Sequence, residues 1–382
     1  MQTIYLDNGA TSFPKPEGVS QRMKDYLDLV GANVNRSVYE KAADAGMVLL
    51  SCRERLARLF NFDDPTHVIL TPGMTAGMNM VIKGYLHAGD HVIVSSMEHN
   101  AVMRPLQQMT EFGVSFDRVP CDSEGRLHIE DALPLFRDNT RLFIMAHGSN
   151  VSGTVQDAEA VGRLCAEKGV AFVLDAAQTA GHIDVDFQRF QLSALCVPGH
   201  KGLLGPGGIG ALLLRHDFAK QLTPLITGGT GSASDTEIQP PYMPDRFESG
   251  TPNMPGVYGL EAALAYIEDR GIPSLQAHER ELTKRFLNGL QKIKGVSLAG
   301  PKTLEGRVGV ISLDFEGKDN AEIAFRLETE YGILTRCGLH CAPSAHKTLG
   351  TFPQGTVRFS LGFASTEADV DAALAAIRAL AE

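Results

Sequence analysis

The chain has 382 residues, of which 43% are hydrophobic and 21% charged, so it can bury a sizeable core and is long enough for two domains. Its 35 Lys and Arg against 45 Asp and Glu give a net charge of −10, which argues against nucleic acid and anionic membrane surfaces as partners. Six cysteines are too few for a disulfide framework and favour a reducing compartment, so we expect a cytoplasmic protein with no signal peptide and no membrane span.

Short, nearly continuous apolar segments alternate along the first half of the chain with segments of helical periodicity. The predicted strands are residues 68–70, 91–95, 141–146, 170–174 and 209–214. The predicted helices are residues 22–30, 75–83 and 158–168. Because the apolar segments do not alternate with polar residues, both faces of each strand are expected to be buried, as in a parallel sheet covered by helices.

The second half of the chain begins with a long segment, residues 227–255, that is rich in Gly, Pro and Ser. A loop of this length in a compact domain is usually functional. Beyond it we predict helices at 259–270, 275–293, 320–331 and 366–381 and strands at 308–315 and 357–363, the last helix starting with a Thr366–Asp369 capping box. The chain is thus expected to comprise an N-terminal segment (1–15), a large domain (16–255) and a small α/β domain (256–382).

Two apolar segments each contain a single charged residue. Lys201 is the only one between residues 193 and 214, and burial there would lower its pKa and free the amine as a nucleophile. Asp175 is the only one between residues 169 and 183, at the end of a predicted strand, where open α/β sheets bind ligands. Taken alone, each could be structural. Together they suit pyridoxal 5'-phosphate, which needs a Schiff-base lysine and a carboxylate at its pyridine nitrogen.

A phosphate site is predicted where residues 71–75, Thr-Pro-Gly-Met-Thr, join a strand to a helix, because free amides at a helix N-terminus bind phosphate. An ordinary helix cap is the alternative. Dinucleotide and P-loop patterns are absent from the sequence.

Residues 336–343, Arg-Cys-Gly-Leu-His-Cys-Ala-Pro, are predicted to form a loop in which Arg336 and His340 favour a reactive thiolate. The alternatives are an inert buried thiol and a zinc site built from Cys337, His340, Cys341 and His346. The second is weak, because no second Cys/His pair at finger spacing follows. A redox or zinc module on an inert scaffold is therefore the non-enzymatic alternative, and we expect no metal.

Taken in order, these motifs resemble the class V aminotransferase-like enzymes of pyridoxal phosphate fold type I, and most closely the cysteine desulfurase and selenocysteine lyase family. The resemblance runs from YLDNGAT at residues 5–11 to RFSL at residues 358–361. It implies an α/β fold with a large domain, whose mostly parallel seven-stranded sheet is covered by helices, and a small C-terminal α/β domain that carries the cysteine loop. The N-terminal segment would pack near the active site.

The resemblance also assigns roles to the residues that match the family motifs. Catalysis would fall to Lys201, His99 and Cys341, with Cys341 taking sulfur from L-cysteine as a persulfide and alanine as the other product. The cofactor contacts would be Thr75, His99, Asn150, Asp175, Gln178, His200, Lys201 and Thr251. The substrate contacts would be Asn150, Arg336 and Arg358, and Thr251 would reach in from the neighbouring subunit of a homodimer.

Three departures from the family pattern leave the substrate open. Pro198 stands where a hydroxyl usually contacts the phosphate, Asn35 replaces a common histidine, and Cys337 adds a second thiol. L-cysteine is the favoured substrate, with a protein as an acceptor that could take the sulfur. Selenocysteine, or an aminotransferase or β-lyase reaction without a persulfide, are the alternatives.

Overall fold

The fold is given by a computed structural model that describes residues 3–34 and 39–382. Its strands are β1 (Ile4–Tyr5), β2 (Val68–Thr71), β3 (His91–Ser95), β4 (Ser115–Val119), β5 (Thr140–Ala146), β6 (Ala171–Asp175), β7 (Ala194–Pro198), β8 (Gly210–Leu214), β9 (Val296–Ala299), β10 (Val310–Phe315), β11 (Ile333–Leu334), β12 (Arg336–Gly338) and β13 (Thr356–Ser360). Its helices are α1 (Val19–Asp25), α2 (Glu40–Leu59), α3 (Met74–Tyr85), α4 (Asn100–Thr110), α5 (Ile129–Ala132), α6 (Ala158–Lys168), α7 (His216–Ala219), α8 (Met254–Arg270), α9 (Ile272–Leu290), α10 (Asn320–Tyr331), α11 (Pro343–Thr348) and α12 (Glu367–Ala381).

A seven-stranded sheet with the order β2-β8-β7-β6-β5-β3-β4 forms the centre of the large domain. All its neighbouring pairs are parallel except those that involve β8, which runs antiparallel to both β2 and β7. Residues 199–209, between β7 and β8, are too few for a helical crossover, so the chain turns back on itself. The predicted mostly parallel seven-stranded sheet is confirmed, and β8 is its one reversed strand.

Helices cover both faces of this sheet. Val92 and Val94 of β3 pack with α3 and α4, whereas Ile93, which points to the opposite face, packs in the core formed with α2, α6 and α8. With a helical layer on each side, no face of the central strands is left for water. This arrangement explains the uninterrupted apolar runs in the sequence.

The C-terminal part folds around a four-stranded antiparallel sheet with the order β12-β13-β10-β9. Helices α9, α10 and α12 contribute to its separate core. Helix α8, by contrast, packs in the core of the large domain, and Leu275 at the start of α9 does so too. The predicted boundary near residue 256 stays a prediction. No helix among residues 3–34 and 39–382 has the length and apolarity needed to cross a membrane.

Two local predictions differ from the structure. The helix predicted at residues 22–30 starts earlier, at Val19, and its second half is a π-helical turn, Tyr26–Val30. The segment predicted as a loop at residues 336–343 begins with strand β12, which pairs with β13. The glycine of this segment, Gly338, is the last residue of β12, and its proline, Pro343, is the first residue of α11. Pairing with a distant strand supplies the hydrogen bonds that hold its first three residues extended.

Both hydrogen bonds of the capping box at the start of α12 are present. The Asp369 amide donates to the Thr366 hydroxyl, and the Asp369 carboxylate accepts from the Thr366 amide. Thr366→Ala should therefore lower the free energy of unfolding by about 1 kcal/mol, measured by urea denaturation. Thr329→Ala is the control, because this exposed threonine lies inside α10 and its hydroxyl only donates to the Phe325 carbonyl oxygen. An equal loss in both variants would contradict the cap's contribution.

Candidate active site

A cleft of about 840 Å³ opens at the carboxyl ends of β5, β6 and β7. This edge is where open α/β sheets bind ligands. The structure brings seven of the predicted site residues into its lining: Thr75, His99, Asn150, Asp175, Gln178, His200 and Lys201. The starts of α3 and α4 face the same space, so strand ends and helix N-termini converge on one site.

Asp175 and Lys201 both line the cleft, where Asp175 is buried and Lys201 is half-buried. Asp175 ends β6, and its Oδ1 accepts the Ala177 amide at 2.9 Å. Burial raises the pKa of Asp175 to about 6, although the bond from Ala177 and the charge of Lys201 oppose the shift. Burial lowers the pKa of Lys201 to about 8 against the effect of Asp175. Burial thus lowers the pKa of Lys201, as its apolar sequence surroundings predict.

Two histidines in the cleft are neutral at pH 7. Burial, followed by the charges of Lys201 and Arg336, lowers the pKa of His99 to about 4. Burial and the charges of Lys201 and Lys15 do the same for His200. His99 Nδ1 accepts the Ala101 amide at 3.0 Å, so the proton of the neutral ring is on Nε2.

The N-terminal turn of α3 has the properties of an anion site. Thr75 lies exposed in the cleft, and no side chain caps the helix among the described residues. A Cβ added to Gly73 would meet no atom within 4 Å, so the space in front of these amides is open. Pro198, at the end of β7, also lines the cleft and offers neither a hydroxyl nor an amide proton.

The N-terminal segment packs on the loop that carries Lys201. The backbone carbonyl of His200 accepts the Ser12 amide at 2.9 Å, Lys15 Nζ at 3.0 Å and the Thr11 hydroxyl at 3.1 Å. The same segment binds Gln178, whose Nε2 donates to the Gly9 carbonyl at 3.0 Å. Residues 9–15 therefore pack against Gln178 and His200, two of the residues that line the cleft.

Arg358 lies behind Asn150, outside the residues that line the cleft. It is 1% exposed, and its Nη2 donates to Asp7 Oδ1 at 2.7 Å while Nη1 donates to the Asn150 carbonyl at 3.1 Å. Its Nε is buried and has no partner among the described residues. Asn150 Nδ2 in turn donates to the His340 carbonyl at 2.6 Å. With this unpartnered Nε, the Arg358 guanidinium still has a donor that can bind a carboxylate ligand.

The thiol of Cys341 is exposed in the turn that follows β12. Arg336 Nη2 lies 3.6 Å from its Sγ. The Cys341 carbonyl accepts the Asn100 amide at 2.8 Å, which ties the turn to the start of α4 beside His99. Cys337 is also exposed, but it follows Arg336 in a strand, so its side chain leaves the opposite face of β12.

Other predicted residues lie elsewhere. Thr251 is exposed at the end of the segment 227–253 and is not among the described residues that line the cleft. Asn35 lies outside the described residues. Within the described ranges, the one cluster of three potential metal ligands is Asp64, His67 and His216, which does not include the cysteine loop.

Sequence reasoning gave no role to Glu98 or Asp7. Glu98 is fully buried next to His99, where burial raises its pKa to about 8, and its Oε2 has no partner among the described residues. It is a lone carboxylate after an apolar strand, which is the signal that singled out Asp175. Asp7 lies in the YLDNGAT motif of residues 5–11, which the sequence comparison used as a whole. Only its ion pair with Arg358 in the structure indicates a role for Asp7 itself.

Comparisons with known proteins agree on one family. The aminotransferase class-V family matches residues 4–373. A probable cysteine desulfurase of Pyrococcus abyssi is 33% identical over 389 residues, which cover 99% of this chain and 94% of the relative. The apo structure of a cysteine desulfurase from Thermococcus onnurineus NA1 has a TM-score of 0.93 at 31% identity, covering 99% of this chain and 94% of that one.

A second solved structure, the S-sulfonic acid form of the cysteine desulfurase CsdA from Escherichia coli, has a TM-score of 0.87 at 30% identity and the same coverage of both chains. The chain belongs to the class-V aminotransferase family, and its relatives place it in the cysteine desulfurase group of that family. The resemblance and the fold inferred from sequence motifs are thereby confirmed.

The environment of Lys201 predicts its reactivity. Acetic anhydride labelling of Lys201 in the cofactor-free protein, followed by mass spectrometry, should be half-maximal at about pH 8, because the deprotonated amine is the nucleophile. An unperturbed lysine reaches half-maximal labelling only near pH 10.4, about two pH units higher. Asp175→Asn should move the midpoint for Lys201 below that of the wild type, since the Asp175 charge raises the pKa of the lysine. An unchanged midpoint in this variant would contradict the coupling.

Proposed function

We propose that the protein is a pyridoxal 5'-phosphate-dependent cysteine desulfurase, which converts L-cysteine to L-alanine and takes the sulfur onto Cys341 as a persulfide. The observation that carries this proposal is one constellation: Lys201 and Asp175 within the cleft, and an exposed thiol at its margin that is tied through Asn100 to the helix of His99. An aminotransferase would need the first two residues and not the thiol.

The residues present fit the cofactor. Asp175 would face its pyridine nitrogen, Lys201 would hold its aldehyde carbon, and the neutral ring of His99 would stack on its ring. The first turn of α3 with Thr75 would take the phosphate, together with His200. Gln178 lies next to this set in the cleft. When bound, pyridoxal phosphate withdraws electrons from the α-carbon of the amino acid.

Side chains of the protein would bind the substrate, transfer protons and accept the sulfur. Arg358 and Asn150 would hold the substrate carboxylate, with Arg336 close to the reacting thiol. Lys201, whose pKa is lowered to about 8 by burial, is suited to accept and return protons near neutral pH. The Cys341 thiolate attacks the substrate sulfur, so an S–S bond forms as the Cβ–S bond breaks, and the carbon skeleton leaves as alanine after protonation. The persulfide is exposed, so that a protein acceptor can reach it.

Replacing the proposed nucleophile tests the reaction directly. Cys341→Ala should lower the release of alanine from L-cysteine, in the presence of a reductant, by at least about a hundredfold, because no thiol remains to take the sulfur. Wild-type protein digested after incubation with L-cysteine should show one added sulfur atom on the Cys341 peptide by mass spectrometry.

Cys337→Ala is the matched control, since this thiol is also exposed but leaves the opposite face of β12. It should keep nearly full activity and still form the persulfide on Cys341. Equal activity of Cys341→Ala and wild type with L-cysteine would rule out the persulfide and favour an aminotransferase or β-lyase. Full activity of Cys341→Ala with selenocysteine alone would favour the lyase.

We further propose a homodimer in which Thr251 completes the phosphate site of the neighbouring subunit. The segment that carries Thr251 is fixed in place three residues earlier, where Glu248 pairs with Arg53 at 2.6 Å and accepts the Leu70 amide at 2.6 Å. Thr251 itself stays exposed and outside its own cleft. An anchored loop that ends in an exposed hydroxyl is suited to contact a second subunit.

Subunit complementation tests this arrangement. Lys201→Ala and Thr251→Ala should each be impaired alone, whereas unfolding and refolding them together should restore about a quarter of the wild-type activity. The hybrid dimer then has one site with Lys201 from one chain and Thr251 from the other. Absence of restored activity, with dimers present by light scattering, would place Thr251 outside the neighbouring site.

A further inference from the structure

A buried histidine–carboxylate pair lies behind the cleft. His182 Nδ1 is 2.8 Å from Glu279 Oε2 and 2.9 Å from Oε1. The two side chains are 13% and 8% exposed. Burial lowers the pKa of His182, but the charge and hydrogen bond of Glu279 outweigh it, so the pKa is raised overall and the imidazolium is favoured. Removing either member would leave the other without its partner in a nearly dry setting.

The other edge of the imidazole supports the backbone that carries Lys201. A Cβ added to Gly202 would lie 2.5 Å from His182 Cδ2 and 2.6 Å from its Nε2. It would also lie 2.2 Å from the Ala180 carbonyl oxygen. Only a glycine lets the chain approach this closely, and it directly follows Lys201. The position of the lysine backbone therefore depends on where the imidazole lies.

The pair also connects separate parts of the molecule. His182 ends a hydrogen-bonded turn that starts just after Asp175, with the His182 amide donating to the Thr179 carbonyl at 2.9 Å. Glu279 lies on α9, between Leu275 in the core of the large domain and Leu282 in the core of the C-terminal sheet. The contact thus joins the cofactor side of the cleft to a helix that spans both cores.

We propose that His182 is a positioning residue for Lys201, held in place by Glu279, so that α9 couples the C-terminal sheet to the reactive lysine. This deepens the proposed function and rests on Lys201 as its reactive amine. The charged groups around the imidazole are Glu279 on α9, Lys201 beyond Gly202, and Arg280 and Arg307 in the small adjoining cavity. Since the imidazole lies directly against Gly202, it acts on Lys201 through packing.

Hydrogen–deuterium exchange of the purified full-length protein tests the positioning without an assay of turnover. The Leu204 amide donates to the Lys201 carbonyl, and the Gly205 amide donates to the Gly199 carbonyl, each at 2.8 Å. His182→Ala should speed exchange in the peptide covering residues 199–205 about tenfold or more, because the support under Gly202 is gone. Should this variant fail to fold, Glu279→Ala, which only frees the imidazole, must show the same acceleration.

Arg280→Ala is the matched control, since Arg280 follows Glu279 on the same helix and its own ion pair, with Glu305 at 3.0 Å, is exposed. It should leave exchange at residues 199–205 unchanged. Wild-type exchange rates in His182→Ala or Glu279→Ala, or an equal acceleration in Arg280→Ala, would overturn the inference.

The kinetic constants distinguish a positioning role of His182 from a purely structural one. With L-cysteine, kcat of His182→Ala should fall about tenfold to a hundredfold, whereas KM should stay within about twofold, because the contacts of Arg358 are untouched. His182→Gln, whose side-chain amide can fill the position of the imidazole Nε2 beneath Gly202, should recover most of the loss. A change in KM alone would overturn the positioning role. If wild type itself does not desulfurate cysteine, the proposed function fails, while the exchange result still decides the inference.

Discussion

The buried guanidinium of Arg358 joins three parts of the chain that are far apart in sequence. It stands on β13, donates to Asp7 in the N-terminal segment and donates to the backbone of Asn150 in the large domain. Burying a guanidinium is costly unless its charge is paired and its donors are met, so these contacts constrain all three segments together. A Cβ on Gly9 would lie 3.3 Å from Arg358 Cζ, which shows how closely the N-terminal segment is packed on it. The N-terminal segment, β13 and the backbone of Asn150 are thereby fixed relative to one another.

Much of the site could be predicted from the sequence because its chemistry leaves a local signal. A single charge within an apolar segment is expensive to bury, and this singled out Asp175 and Lys201 before any fold was known. The structure shows the consequence, since burial raises the pKa of the first to about 6 and lowers that of the second to about 8. The same rule applied to Glu98 would have found a third such group. Apolar runs likewise predicted most of the central strands, because strands that are buried on both faces contain few polar residues.

The remainder depends on contacts between residues that are distant in sequence. The reversal of β8 follows from the short connection that precedes it, although its composition is that of a buried parallel strand. Strand β12 is extended because β13 pairs with it, while its own sequence has the glycine of a turn. His182 and Glu279 are 97 residues apart, and neither stands out locally. Their proximity is a property of the packing of α9 and could only come from the structure.

The electrostatics of the cleft are opposite to those of the whole chain. The net charge is −10, yet the charges that act on His99 are those of Lys201, Arg336, Arg358 and Arg104, all positive. Together with burial they lower the pKa of His99 to about 4, so the ring stays neutral. A locally positive site favours small anions even in an acidic protein, whereas a net negative charge disfavours polyanions. The positive surroundings of His99 thus reflect where these four cations lie, and not the overall charge.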